Sequence, residues 1–183
     1  DLRGDIKIGY PSDLLSTRAV VKPGVYAVIP KDGLVNNVIP NIKECIVSIV
    51  ASPKMGASFV QYIVDANVNG GTTIPFAKED KIESFIYCLN GTLDIKIGEE
   101  KYTLIDGGYA FSPAGLGISF KNVGNDNAKF LLYKQIYIPL EGIEAEVCVG
   151  NVNDIEYKIY DEMENVYIKD LLPTHLGYDM NMH

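Results

Sequence analysis

The sequence predicts an all-β domain, a jelly-roll or double-stranded β-helix barrel. Three observations point there. Apolar residues alternate with polar ones at a period of two, clearest where Leu93, Ile95 and Ile97 interleave with Thr92, Asp94 and Lys96. Turn signals built from Asn, Asp and Gly recur at short intervals. Helix signals are few. Regular short strands separated by such turns belong to sandwiches and barrels.

In chain order, Ser12-Asp13-Leu14-Leu15-Ser16 reads as a short turn with Ser12 as its N-cap. Residues 1–44 are expected to be an extension that adds strands. Cys45 to Val50 and Ser58 to Val64 are strands, the second region ending at Asn69-Gly70-Gly71. Phe85 to Leu89 precedes Asn90-Gly91, a pair that tolerates the positive φ of a tight turn and so predicts a hairpin into Leu93–Ile97. Gly98-Glu99-Glu100 turns the chain into Tyr102–Ile105, and Asp106-Gly107-Gly108 turns it into Tyr109–Phe111. Asn125-Asp126-Asn127 is expected to close another hairpin before Phe130–Ile138. Asp161-Glu162-Met163 reads as a second short turn, and Leu171 to Leu176 as a linker turn. The barrel is therefore placed at residues 45–149, with 150–183 leading away from it. There is no internal repeat, low-complexity tract or glycine-rich phosphate loop.

Composition excludes several function classes. At 183 residues the chain can bury a substantial core but is too short for two full barrels. A net charge of -8 and a pI near 4.7 argue against nucleic acid, whose phosphates call for clustered Lys and Arg. No apolar run reaches the length of a membrane span. Cys45, Cys88 and Cys148 are widely spaced with no CxxC pair, the pattern of reduced cysteines, so a cytoplasmic location is expected. The chain opens at Asp1 with no methionine and no signal-peptide pattern, and is expected to be part of a longer one.

The motif that names the fold runs from Gly107. Five residues follow, then Pro113-Ala114-Gly115, then Ile118 and Asn122. This reproduces the spacing G-x5-P-x-G-x2-H-x3-N of a cupin barrel, with Ile118 where the histidine ligand belongs. The other cupin motif runs G-x5-H-x-H-x3-E-x6-G. Anchored on Gly91, its histidine positions are Lys78 and Asp80 and its glutamate position is Ser84. Anchored on Gly71, they are Ala77, Glu79 and Glu83. Neither register supplies an imidazole. The chain has two histidines, His175 and His183, and both follow the barrel.

A first-row metal in such a barrel wants about three imidazoles and one carboxylate with open positions. Lys78, Asp80, Ser84 and Ile118 cannot provide that set, so no metal is expected here. An all-oxygen site from Glu79, Asp80 and Glu83 would suit only a hard cation, and a solvated loop is the plainer reading. Strand parity agrees. With Ser84 facing inward, Ile86 and Cys88 do too, and Ile118 shares a face with Phe120. The lumen is then largely apolar, with packing in place of ligation. No catalytic residue is assigned.

The chain also resembles the N-terminal half of the bicupin (S)-ureidoglycine aminohydrolase family of bacteria and plants. The matching strings include Gly9-Tyr10, Asp13-Leu14-Leu15, Arg18-Ala19, Asp32-Gly33-Leu34-Val35 and Ile39-Pro40. They continue through Pro53 to Phe59, Asp106 to Tyr109 and Leu132-Tyr133-Lys134, and end on Leu176 to His183, which resembles the run into the first strand of a second cupin, so residues 150–183 are implied to be linker and entry strand. The resemblance implies purine-ring catabolism, with ureidoglycine losing ammonia to give ureidoglycolate. It implies a manganese ion in the C-terminal cupin, held by residues beyond the point matching His183. No catalytic residue of the family falls on this sequence. The implied role is a degenerate barrel that buttresses the active one and contributes to a homo-oligomer. A stand-alone metal-free cupin binding a small polar ligand, and half of a bicupin with other chemistry, are the alternatives.

Overall fold

The computed structural model describes residues 19–30, 33–173 and 176–183. Among the described residues there is no α-helix, and the fold is an all-β cupin barrel. β1 (Val20–Lys22) and β2 (Tyr26–Val28) form an exposed hairpin of their own. β3 (Asn36–Asn37) pairs with β4 (Ile42–Ala51), which lies along β5 (Phe59–Thr72). β6 (Ile82–Asn90), β7 (Leu93–Ile97), β8 (Glu100–Leu104) and β9 (Gly108–Ser112) follow. β10 (Ser119–Asn122), β11 (Ala128–Ile136) and β12 (Cys148–Asn151) complete the barrel. β13 (Lys158–Ile159) and β14 (Tyr167–Ile168) pair separately. The path around the barrel is β12-β9-β6-β11-β5-β10-β7-β8, antiparallel throughout, with β4 on the other edge of β5.

Period-2 patterning built the elements it was expected to build. In β7, Leu93, Ile95 and Ile97 are buried while Asp94 is exposed and accepts a hydrogen bond from Thr103 Oγ1 at 2.8 Å. Gly98-Glu99 closes β7 onto β8, pairing Ile97 with Glu100.

Two expected hairpins are crossings instead. β6 pairs with β9 and β11, not with β7, so Asn90-Gly91 carries the chain from one side of the barrel to the other. Glycine is still required there. Its φ is 108°, and a Cβ would stand 2.6 Å from the Ala128 Cβ. Its N–H donates to Asp106 Oδ1 at 2.7 Å. Likewise β10 and β11 both lie on β5 rather than on each other, so Asn125–Asn127 joins two neighbours of one strand. β5 also runs on through Asn69-Gly70-Gly71 instead of ending there. The strand bends at this point, and Gly71 passes so close to β10 that a Cβ would lie 2.2 Å from the Phe120 carbonyl oxygen.

The apolar residues form two layers. The lumen holds Val47, Val64, Ile86, Cys88, Ile118, Phe120, Phe130 and Leu132. A fully buried side chain of this size contributes about 1.5–3 kcal/mol, so packing alone accounts for the lumen. The second layer lies outside β6 and β9, where Phe85, Tyr109 and Phe111 are covered by Leu171, Leu172 and Met180. Gly150 and Asn151, placed by the sequence in the departing segment, belong to β12. Beyond them the chain folds back, and the Leu171 N–H donates to the Met182 carbonyl at 2.9 Å. Residues 176–183 form no strand. Asp161 and Glu162 make a left-handed turn, φ 45° and 58°, between β13 and β14. The expected turn at Ser12–Ser16 lies outside the described residues, as do Asp32, Thr174 and His175.

Candidate functional site

Strand register builds the lumen in rows. Cys88 of β6 stands opposite Phe130 of β11, which stands opposite Val64 of β5. The next row is Ala110, Ile86, Leu132 and Tyr62. The last is Ser112, Ser84, Lys134 and Val60. The barrel is thus apolar through its middle and polar at one end.

That end is where the cupin ligand positions lie, and they do not converge. Ile118 is wholly buried and exchanges two backbone hydrogen bonds with Phe76, at 2.8 and 2.9 Å, across a short bridge. Ser84 is wholly buried, and its Oγ has no hydrogen-bond partner among the described residues. Lys78 and Asp80 are exposed. In the alternative register Ala77 is buried and Glu79 exposed, and Glu83 is buried on the face of β6 opposite Ser84. Among the described residues no three His, Cys, Asp or Glu side chains are grouped to hold a metal. The residues at these positions do not fit a manganese ion.

Sequence reasoning passed over what the mouth does contain. A cavity of about 470 Å³ opens between the start of β4, β5 and the loop into β6, lined by Tyr62, Phe76, Lys78, Glu79 and Lys134 among others. Phe76 and Tyr62 meet edge to face, with ring centroids 5.8 Å apart. The Lys134 ammonium lies 5.6 Å from the Phe76 ring centroid, within cation–π range. Burial, and secondarily the Glu79 charge, push the Tyr62 hydroxyl above its ordinary range. The signal was available, because Lys134 follows Phe130 and Leu132 in the same strand parity.

Asn122, the last residue of the motif, is a structural clamp. It is wholly buried, and its Nδ2 donates to the carbonyls of Ala66, Asn67 and Asp126 at 3.1, 3.0 and 2.8 Å. Its Oδ1 accepts from the Gly124 N–H at 2.9 Å. One side chain ties β10, the bend of β5 and the following loop together. Asn122→Ala is expected to cost about 2–3 kcal/mol, because buried backbone groups lose their partners. Urea unfolding reads this directly, and a cost below about 0.5 kcal/mol would show that the clamp is dispensable.

The remaining reactive side chains are accounted for structurally. Cys45 and Cys88 are buried, and burial pushes their thiols up, to about 12 and about 11, away from nucleophilic thiolate. His183 sits at the surface with Nδ1 3.1 Å from Asp170 Oδ1, and Asp170 also accepts from Lys158. The Lys158 hydrogen bond, reinforced by His183, holds the Asp170 carboxyl below its usual range.

With this geometry in place, the chain can be set against known proteins. The Cupin domain family model matches residues 65–133, which span most of the lumen rows. The chain is 41% identical over 175 residues to the (S)-ureidoglycine aminohydrolase of Escherichia coli (strain K12), covering 96% of this chain and 67% of that protein. It is 26% identical over 170 residues to a protein of Oryza sativa subsp. japonica named Probable (S)-ureidoglycine aminohydrolase, covering 91% of this chain and 52% of the rice protein. The crystal structure of protein Ylba from E. coli superposes with a TM-score of 0.82 at 38% identity, over 94% of this chain and 68% of that one. The chain therefore belongs to the (S)-ureidoglycine aminohydrolase family, with its cupin domain between Asp65 and Tyr133.

Proposed function

We propose that this chain is the N-terminal, structurally supporting cupin of a manganese-dependent (S)-ureidoglycine aminohydrolase, which converts ureidoglycine to ureidoglycolate and ammonia. The observation that carries the reading is the 41% identity to the E. coli enzyme across 96% of this chain. The lumen supports the supporting role, since Ile118 and Ser84 sit where ligands would be and pack there instead. The chain spans 67% of the E. coli protein, and the proposal places the manganese ligands in the remainder. There the metal would act as a Lewis acid at the carbon that loses its amine.

The outer surface supports a partner barrel. Tyr157, Ile159, Tyr167, Ile136 and Ile138 are exposed and available to such a contact. The domain reading assigns residues 1–44 to the extension, 45–149 to the metal-free barrel and 150–183 to the connection toward the second cupin. A homo-oligomer in the cytoplasm completes the proposal.

The test mixes this chain with the separately expressed C-terminal barrel and measures ammonia release from ureidoglycine. Neither piece is expected to exceed the substrate's spontaneous decay alone. Together, with manganese, they are expected to do so. Manganese-independent turnover by the 183 residues alone would refute the proposal. Inactivity of the pair, despite a complex seen by sedimentation, would refute it equally.

A further inference from the structure

We propose that the barrel mouth is a binding site for a small monocarboxylate, held by Lys134 and Lys78 over the rings of Phe76 and Tyr62. The inference stands on the mouth alone and does not depend on the identity of the whole enzyme. The cavity, about 470 Å³, is of the size that takes small ligands. Its charged groups are two lysines and one glutamate. Lys134 lies on the inward row of β11 and lines the cavity. Lys78 reaches the same cavity from the loop before β6. Among the described residues no carboxylate lies within ion-pair distance of either lysine. In a protein of net charge -8, two lysines against one carboxylate on one cavity are a local excess of positive charge.

The charge count selects the ligand class. Two lysines and Glu79 leave the cavity one positive charge in excess, which one carboxylate neutralises. A dianion such as sulfate would meet the Glu79 carboxylate with a charge unmatched. The floor selects further. Phe76, Tyr62 and Ile42 exclude water from one side of the cavity, which strengthens a charge-assisted hydrogen bond there and favours a ligand with a small apolar body. Phe76 also holds the lysine in place, since its ring faces the Lys134 ammonium while its backbone bridges Ile118. Lys78, at one of the vacant ligand positions of the motif, thus lines a different site.

Acetate and glycolate are the probes, titrated into the isotope-labelled protein at constant ionic strength and read by amide chemical shifts. Saturable shifts are expected at Phe76 to Glu79 and around Lys134, with millimolar affinity and sulfate binding more weakly. Lys134→Met keeps the methylene stem against Phe76 and removes the charge, and is expected to weaken binding about tenfold or more. Lys78→Met, at an exposed position, is expected to weaken it as well and carries the test if Lys134→Met does not fold. Lys101→Met, on β8, should bind as the parent does. Glu79→Gln should narrow the preference for acetate over sulfate. Non-saturating shifts, shifts scattered over other lysines, sulfate bound as tightly as acetate, or unchanged affinity in both mouth variants would each overturn the site.

Discussion

Ile118→Asp is expected to destabilise the protein by at least about 4 kcal/mol, enough to leave much of it unfolded at ambient temperature. Ile118 is wholly buried among Ile86, Phe120 and the other lumen residues, at the point where its backbone closes on Phe76. Removing a buried aliphatic side chain alone costs about 2–5 kcal/mol. The aspartate adds the cost of a carboxylate out of water. Lys134, the inward cation of β11, is engaged over the Phe76 ring and would have to leave it to pair. Ile118→Val, which keeps the shape, should cost only about 1 kcal/mol. Ile118→His restores the motif's residue but should bring no stoichiometric manganese, because Lys78 and Asp80 remain exposed and Ser84 offers only a hydroxyl. The measurement is the urea midpoint with its slope, parent against variants. An aspartate variant within about 1 kcal/mol of the parent would mean that Ile118 does not bound a sealed lumen.

What was legible in the sequence was local. Leu93, Ile95 and Ile97 declare their strand by alternation, and the inward parity of Ser84, Ile86 and Cys88 follows from the same rule. The spacing from Gly107 to Asn122 placed Ile118 inside. Pairing was less legible. Asn90-Gly91 correctly signals a backbone that needs positive φ, but turn chemistry does not say which side of the barrel the next strand joins. In a jelly roll, consecutive strands often cross to the other side, so β6 and β7 share a turn without sharing hydrogen bonds. Gly70-Gly71 misled in the opposite sense. Two glycines read as a strand end, yet here they let β5 bend under β4 and β10 without interruption. The mouth was missed because a lysine near a strand terminus reads as solvated. Parity already puts Lys134 in the row of Phe130 and Leu132, and the register shows that the row extends to the mouth. Glu83 was least legible of all, since its partner Gln135 and the nearby Asp179 charge lie far along the chain.

Glu83 gives the second large effect, a loss of stability with rising pH. It is wholly buried on the face of β6 that also carries Phe85, which packs with Leu171, Leu172 and Met180. Oε1 accepts from Gln135 Nε2 at 2.6 Å, and Oε2 has no partner among the described residues. Burial pushes the carboxyl up from 4.5 to about 7, the Gln135 hydrogen bond pulls it partly back, and the Asp179 charge pushes it up again. Asp179 itself accepts from the Ile138 N–H at 3.1 Å, so it is anchored just beyond the end of the strand that carries Gln135. The unfolded chain releases this proton near the ordinary carboxylate value, and the folded chain keeps it until about 7. Between those limits the unfolded state binds fewer protons, so stability falls as pH rises and levels off above the folded value. The fall is on the order of 3 kcal/mol across the window. Glu83→Gln keeps an oxygen for Gln135 and carries no charge, so it should lack this slope. The difference in unfolding free energy between parent and variant, measured from about pH 5 to about pH 8, isolates Glu83 from the other carboxylates. The variant should gain on the parent steadily as pH rises. A difference that stays constant over that range would mean that Glu83 ionises in the folded protein as readily as in the unfolded chain, and that its cover is open to water.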